Sequence, residues 1–372
     1  MRSIECSKRY ASCSLLLEAS QKMIKLNNLF GTKIGIDLGT STTKVAGSSG
    51  EIIYEQPTVV AISKRDNIVV AVGEEAQSMI GRAPETILVV RPMKDGAIAD
   101  YLITQALLQH CLRETVGKTI VKPETMICAP VGITPVHRDS VRDASEAAGA
   151  RQPTHIIPEP LAAAIGAEVP IGSADGAMVV DIGGGRAEAA VISMFGMVAK
   201  GSIRVGGDKL DQAIQRYLSS RHELVIGERT AEQIKIQIGS AITVDNPEKI
   251  RVRGKHLTGQ PRIVTIDSNE IAKSLKEPLL QIVNLIRGVL EQTEPELSSD
   301  IAERGILITG GSANLRGLAI YLREMLQVAC YIAESPEDVV VRGAAIALDF
   351  APAIERIMLS ATDELYVTSR QM

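Results

Sequence analysis

Apolar residues in this chain come in two textures: short runs that stop at glycine, and longer stretches with helical spacing. Short apolar runs predict strands at 33–38, 43–47, 51–55 and 58–63, with Gly50 and Pro57 marking the bends. From 64 to 95 the pattern is irregular, relieved by a short helix near Glu74–Ile80 and a Gly-Arg-Ala-Pro stop. Helical spacing over Tyr101–Val116 gives way to the loop GKTIVKP. A strand at 126–130 leads through Thr134, a hydroxyl N-cap, into a helix Pro135–Ala148 that Gly149 ends. The strand THIIP then runs into the Ala-rich helix EPLAAAIGA, which starts just after Pro158.

The second half follows the same logic. A strand at 177–182 is followed by a meander at 187–194 and 197–205, and Gly206-Gly207-Asp208 opens a helix to about Ser220. Thr230 is the expected N-cap of a helix ending at Ile238, and residues 245–266 are strand-like but polar. Asp267 or Ser268 caps a long helix with Pro278 inside its pattern, a place for a kink or break. A strand at 305–311, a helix at 316–327, a capped helix in SPEDVVVRGAAIALD and a final helix with a frayed tail complete the chain. Strands alternating with helices in two halves predict an α/β fold with mixed sheets covered by helices. The ligand is expected in the crevice at the strand ends, between the halves.

Two segments stand out chemically, IGIDLGTST around Asp37 and VVDIGGGR around Asp181. Each is an apolar run followed by Asp, an aliphatic residue, Gly and small residues. A strand ending this way brings a carboxylate and unhindered backbone N–H groups to one sheet edge. Such N–H groups cradle anions, and a neighbouring carboxylate can hold Mg²⁺ through its waters. A single Asp-x-Gly is more often only a tight turn. Two copies in matching contexts point to a clamp on a nucleotide's phosphates.

Composition narrows the partners. The 372 residues are 45% hydrophobic and 23% charged, ordinary for a globular protein of two or three domains. Trp is absent and aromatics make up 3%, which argues against stacking platforms for single-stranded nucleic acid. A net charge of −4 offers no basic field, so no nucleic-acid partner is expected. Cys6, Cys13, Cys111, Cys128 and Cys330 are scattered without metal-ligand spacing, as reduced thiols would be. No apolar run approaches the ~20 residues of a membrane span. Glu18 interrupts SLLLEAS, so no signal peptide is expected.

The long ordered words IGIDLGTSTTKV, RPMKDGAIADY, PEPLAAAIGA, GAMVVDIGGG, SIRVGGDKLDQAI, IGERTAEQIKIQIGSA and GILITGGSANLRGL resemble the MreB-type bacterial actins. That family shares a superfamily with actin, sugar kinases and heat-shock chaperones. The resemblance covers residues 31 to about 350. It implies an actin-like ATPase fold of duplicated ribonuclease-H-like halves, with mixed five-stranded sheets and four subdomains around a nucleotide cleft. The implied divisions are an extension at 1–30, subdomain IA from 31–62, 97–165 and 340–372, subdomain IB from 63–96, subdomain IIA from 166–205 and 267–339, and subdomain IIB from 206–266. It further implies ATP and Mg²⁺ as cofactors and antiparallel double protofilaments of the chain itself on the inner face of the cell membrane. Such filaments guide peptidoglycan synthesis and rod shape together with wall-elongation membrane proteins such as MreC and RodZ.

Roles carry over by motif. Asp37 and Asp181 resemble the carboxylates that hold Mg²⁺ through water. Gly39, Thr40, Ser41 and Thr42 resemble the first phosphate hairpin, and Gly183, Gly184 and Gly185 the second. Glu159 stands at the family's hydrolytic glutamate, which orients the attacking water. Its plainer reading is a carboxylate at a helix N-terminus. Gly310 and Gly311 resemble the adenosine-binding turn. Glu232 and Lys235 resemble ribose and adenine contacts, against the alternative of an i,i+3 surface ion pair.

One departure matters. The family usually has Thr directly after DIGGG, where its hydroxyl helps hold the hydrolytic water; here Arg186 follows, then Ala187. Arginine offers only donors and a fixed charge. Three roles are open to it: contact with the γ-phosphate, occupation of the water's place, or a solvent-facing side chain. Loss of the hydroxyl weakens hydrolysis more than binding, so nucleotide binding with slow turnover is expected.

Met23, Ile24, Leu26, Leu29 and Phe30, with Lys22 and Lys25 nearby, form a short apolar segment suited to a lipid interface. The alternative is a lead-in packed on the core. Ile120 and Val121 sit in the loop where relatives expose an apolar pair. Residues 1–22 are either an extension from an upstream start or a tail, and disorder is expected there. Three rival functions are weaker. A small-molecule kinase needs a substrate pocket with its own catalytic Asp, and no such motif is present. A chaperone-like switch needs a further peptide-binding domain. A nucleotide-bound scaffold without turnover is kept open by Arg186.

Overall fold

The computed structural model describes residues 32–94, 96–117 and 121–351. In chain order the first half supplies β1 (Lys33–Leu38), β2 (Thr42–Gly47), β3 (Ile52–Pro57), β4 (Val60–Ser63), β5 (Val69–Val72) and helix α1 (Glu74–Ser78). Then come β6 (Ile87–Val90), β7 (Met93–Lys94), β8 (Ala97–Ile98), α2 (Tyr101–Val116), β9 (Glu124–Ala129), α3 (Pro135–Ala148), β10 (His155–Pro158) and α4 (Glu159–Gly166). The second half supplies β11 (Ala177–Ile182), β12 (Ala187–Ser193), β13 (Gly196–Ile203), α5 (Gly207–His222), β14 (Leu224–Val225) and α6 (Glu228–Ile238). It continues with β15 (Lys249–His256), β16 (Pro261–Asp267), α7 (Ser268–Glu291), α8 (Pro295–Arg304), β17 (Ile306–Thr309), α9 (Leu318–Leu326), β18 (Cys330–Ile332) and α10 (Val339–Ala347).

The duplication is explicit in the pairing. The first large sheet runs β10-β9-β1-β2-β3 and the second β18-β17-β11-β12-β13. In each, the first strand of the half pairs antiparallel with the hairpin strand after it. On its other edge it pairs parallel with a strand that arrives much later in the chain. Smaller sheets β5-β4-β6 and β14-β15-β16 are appended, one to each half. This is the expected α/β architecture of two mixed five-stranded sheets.

Each half has its own apolar core, and a third joins them. That third core combines Met126, Cys128 and Ile157 of one sheet with Val179, Ala190 and Ile192 of the other, through the alanines of α4 and the face of α10. The helices cross so closely that a Cβ on Gly343 would overlap the carbonyl oxygen of Ala162, and one on Gly166 that of Val339. Glycine is needed at both positions because backbone, not a flexible side chain, fills the space.

Local chemistry explains most boundaries. Thr134 accepts from the His137 N–H, and Gly149 ends α3 at φ 121°. Asp267, rather than Ser268, caps α7 in a reciprocal box with Glu270. Four expectations change. The stretch 64–95 is not irregular: β5, β6 and β7 lie in it, and Val69 and Val70 are exposed, so burial left no alternation to read. Thr230 caps nothing; α6 starts at Glu228 after Gly227, and Thr230 is inside its first turn. Pro278 does not break α7, which runs on with the ring buried against the core. Helix α8 and strand β18, absent from the pattern reading, are short elements held by the second sheet. The final helix expected after Asp349 lies almost wholly outside the described residues.

Candidate functional site

The two glycine turns meet. The β1–β2 turn is pinned by the Thr58 hydroxyl, which donates to the Gly39 carbonyl at 2.7 Å, and by the Thr58 N–H, which donates to Ser41 O at 2.9 Å. Gly96 N–H donates to Thr40 Oγ1 at 3.0 Å. The β11–β12 turn closes through Gly183 N–H to Arg186 O at 2.9 Å. Its carbonyls are taken by the Ser312 hydroxyl and by the N–H groups that open α5, Gly207 to Gly183 O and Asp208 to Gly184 O. A Cβ on Gly184 would overlap Ser41 Oγ, so the backbone of the second turn packs directly against the Ser41 side chain of the first.

Between the turns lies a cavity of about 190 Å³. Its lining brings together Asp37, Gly39, Thr40, Ser41, Thr42, Glu159, Asp181, Gly183, Gly184, Gly185, Arg186, Gly310 and Gly311. Most of these come from turns or strand ends, because parallel strands β9, β10 and β17 deliver their C-terminal residues to the same edge as Asp37 and Asp181. Gly310 has φ 87°, and a Cβ there would sit 2.5 Å from the Ile182 carbonyl oxygen. Gly311 also lines an adjoining recess of about 170 Å³ with Lys235, Ser312 and Leu315. Glu232 faces a wider part of the cleft, about 520 Å³, with Thr40, Ser41 and Asp208. Lys235 is not in an i,i+3 pair with it: its Nζ meets Asp211 Oδ2 at 2.8 Å and Gly207 O at 3.1 Å.

The cavity is acidic. Loss of water pushes Asp37 up to about 7, with the charge of Asp181 adding and Lys44 opposing. Burial raises Asp181 to about 6 against a 2.9 Å hydrogen bond from the Thr309 hydroxyl. Desolvation holds Glu159 well above the usual carboxylate range; Glu188, Asp37 and Asp181 add to this and Arg186 opposes it. Such a site disfavours bare negative charge and calls for a cation.

Two residues missed in the sequence organise this field. Lys44, opposite Asp37 in the β1–β2 register, lines the cavity with 6% of its side chain exposed. Its Nζ lies 2.6 Å from Asp338 Oδ1 and 3.1 Å from Glu55 Oε1. Glu188, opposite Asp181 on β12, is wholly buried. It accepts the Val131 N–H at 2.9 Å and the Ser202 hydroxyl at 2.8 Å, and Arg186 Nη1 is 3.7 Å away. A charged residue inside the apolar run AEAAVIS was the available signal. Arg186 is not directed into solvent: 18% of its side chain is exposed, and Nη1 donates to Ser202 Oγ at 3.0 Å.

The family model described as MreB/Mbl protein matches residues 31–356. The chain belongs to the MreB/Mbl family. It is 44% identical to the cell shape-determining protein MreB of Escherichia coli K12 over 332 residues, 87% of this chain and 95% of the relative. It is 42% identical to Mbl of Bacillus subtilis 168, covering 89% of this chain and all of Mbl. Among solved structures, MreB5 of Spiroplasma citri bound to AMPPNP superposes with a TM-score of 0.82 at 31% identity, covering 88% and 98% of the two chains. The MamK double helical filament subunit, at TM-score 0.73 and 22% identity, shares the fold. The actin-like fold of this MreB/Mbl family member is therefore shown by sequence and structure together.

Of the residues expected at a membrane surface, Met23, Ile24, Leu26, Leu29, Phe30 and Ile120 lie outside the described residues; Val121 is described and is 40% exposed. Among the described residues no helix is long and apolar enough to cross a membrane.

Proposed function

We propose that this chain is a cytoskeletal ATP-binding protein that polymerises on the membrane, directs cell-wall synthesis and so maintains rod shape. The observation that carries the reading is the cavity between the two glycine turns, with Asp37 and Asp181 on one edge. Backbone N–H groups of the Gly39–Thr42 turn and of Gly184 and Gly185 suit phosphate oxygens, and the recess beside Gly311 and Lys235 suits the nucleoside. The relatives are named for cell shape, and a structural neighbour is bound to AMPPNP.

Among the described residues no three His, Cys, Asp or Glu converge as a direct metal cage. Two carboxylates facing one cavity suit Mg²⁺ that keeps most of its waters and takes phosphate ligands. Asp37 and Asp181 would hold it, supplying charge neutralisation along the phosphates. Glu159, the first residue of α4 just past β10, would orient the attacking water. With Arg186 where a hydroxyl is usual, binding with slow turnover is the expected behaviour, and a nucleotide-bound scaffold is the second reading. Single-turnover phosphate release slower in wild type than in Arg186→Thr supports slow turnover; an equal or faster wild type contradicts it.

Electron microscopy of the purified protein with Mg·ATP, with and without anionic liposomes, tests the main reading. Paired straight protofilaments on vesicles support it, and absence of polymer at all concentrations despite ATP binding overturns it. The membrane contact is assigned to residues 23–30 with Ile120 and Val121. Each site alone binds weakly, and a polymer multiplies them. Deleting 1–30 and changing Ile120 and Val121 to Ser is expected to abolish liposome co-sedimentation.

A further inference from the structure

The small sheet of the second half leaves one strand partly unpaired. Strand β15 pairs along its length with β16, but β14 meets it only at Lys255 and His256. Over residues 249–253 its other edge has no strand beside it. In an antiparallel ladder alternate residues turn both backbone groups to one side, so about half of those N–H and C=O groups face the open edge. Helix α6 stands across from it. A groove of about 510 Å³ runs between them, lined by the consecutive strand residues 250–253 and by one helical stripe, Thr230, Gln233, Ile234 and Gln237. Val252 and Ile234 are buried and give the groove an apolar floor, while Arg251 and Arg253 are exposed. No Asp or Glu lines it. The cross-strand neighbours of the two arginines on β16 are Thr265 and Ile263, so the sheet supplies neither guanidinium with a counter-charge. Lys249 and Lys255, also exposed, continue the same face of the strand.

We propose that this groove takes an extended acidic peptide of a partner protein, added as a further strand on the open edge of β15. A strand laid there pairs its backbone with the free groups of β15 and alternates its side chains between two faces. One set falls beside Arg251 and Arg253, which stand about 7 Å apart, the repeat of alternate residues in an extended chain. Carboxylates at those positions form charge-assisted pairs with the guanidinium forks. The other set turns toward Val252 and Ile234 and is apolar. The partner sequence is therefore one in which acidic and apolar residues alternate. The same cations exclude a second copy of this edge, because self-pairing would set arginine and lysine against arginine and lysine. No residue of the groove lines the cavity between the glycine turns, so the two sites are separate.

The test is fluorescence anisotropy of the full chain with a labelled Glu-Val-Glu-Val-Glu-Val peptide. Three control peptides separate the contributions. One carries Gln for Glu, and one has the same composition as a block, Glu-Glu-Glu-Val-Val-Val. The third is the parent N-methylated at every second residue, in each of the two phases, which keeps the side chains but removes strand donors. Wild type is expected to bind the parent and to bind the glutamine and block peptides about tenfold or more weakly. One N-methylated phase is expected to lose about as much, because its blocked donors face β15. Arg251→Gln with Arg253→Gln is expected to weaken the parent peptide about tenfold or more, with the circular dichroism spectrum retained because both side chains are exposed. Equal binding of the block and N-methylated peptides would overturn strand addition and leave only a general anion patch. No binding of any peptide by folded wild type would overturn the proposal outright. If, in that case, the double variant loses sedimentation with Mg·ATP, the face belongs to a second copy; if it loses anionic liposomes instead, the face belongs to a lipid surface.

Discussion

Lys44 and Glu188 occupy the same position of the duplicated hairpin, each opposite the turn aspartate on the neighbouring strand, yet they carry opposite charge. The first half turns its lysine to Asp338, at the start of α10, and to Glu55 on β3. The second turns its glutamate to Val131 of the first half and to Ser202 and Arg186 of its own. One backbone device thus bears two different electrostatic anchors, and both tie the phosphate turns to helices or loops that link the halves.

Breaking the Lys44 anchor should be costly. Lys44→Met leaves the largely buried Asp338 with only Arg342, 3.5 Å away, as a cation, and a loss of about 3 kcal/mol is expected. Lys44→Met with Asp338→Asn should lose less than the two single changes combined. Chemical denaturation of the four proteins measures the coupling, and additive losses would show that the pair does not interact.

Glu188 should leave a pH signature. Burial raises it to about 7, against an ordinary value of 4.5. Its favourable contribution is therefore complete below about 4.5 and lost as pH rises through about 7, because above that a buried charge must be carried. The melting temperature of Glu188→Gln minus that of wild type should be larger at pH 8 than at pH 6. The same difference at both values, or the opposite order, would mean that Glu188 titrates normally.

The crossing of α4 and α10 tolerates no added volume. Gly343→Ala pushes a methyl onto the Ala162 backbone, and about 1–3 kcal/mol of stability should go with the forced separation. Equilibrium unfolding in urea reads this directly. An unchanged midpoint would show that the helices part freely.

The contact of the phosphate turns is open to a similar test. Gly184→Ala sets a methyl against Ser41 Oγ, so the turns must separate and nucleotide affinity should fall at least tenfold, with the circular dichroism spectrum retained. Ser41→Gly in the same chain should restore part of the affinity. Full affinity in Gly184→Ala alone would mean that the turns need not approach so closely.

Much of the fold was legible along the chain. Tyr101–Val116 and Pro135–Ala148 could be bounded to the residue because periodic burial and caps agree there. The glycine turns around Asp37 and Asp181 were legible because their backbone demand admits few residue types. Elements such as Val69–Val72 and Cys330–Ile332 were not, since each is short, partly exposed and stabilised by a neighbouring strand rather than by its own pattern. Thr230 had a capping side chain, but the backbone had already entered the helix at Glu228.

The site divides the same way. Local sequence determined the two anion-binding turns, the strand–turn–helix order around them and the family, because backbone geometry and apolar periodicity are written in consecutive residues. Tertiary structure alone decided the partners of the charges: Lys44 with Asp338, Glu188 with Val131, Lys235 with Asp211, Arg186 with Ser202 and Glu188. A buried charge takes whatever partner the fold brings within hydrogen-bond reach. That distance is set by how sheets and helices pack, not by spacing along the chain.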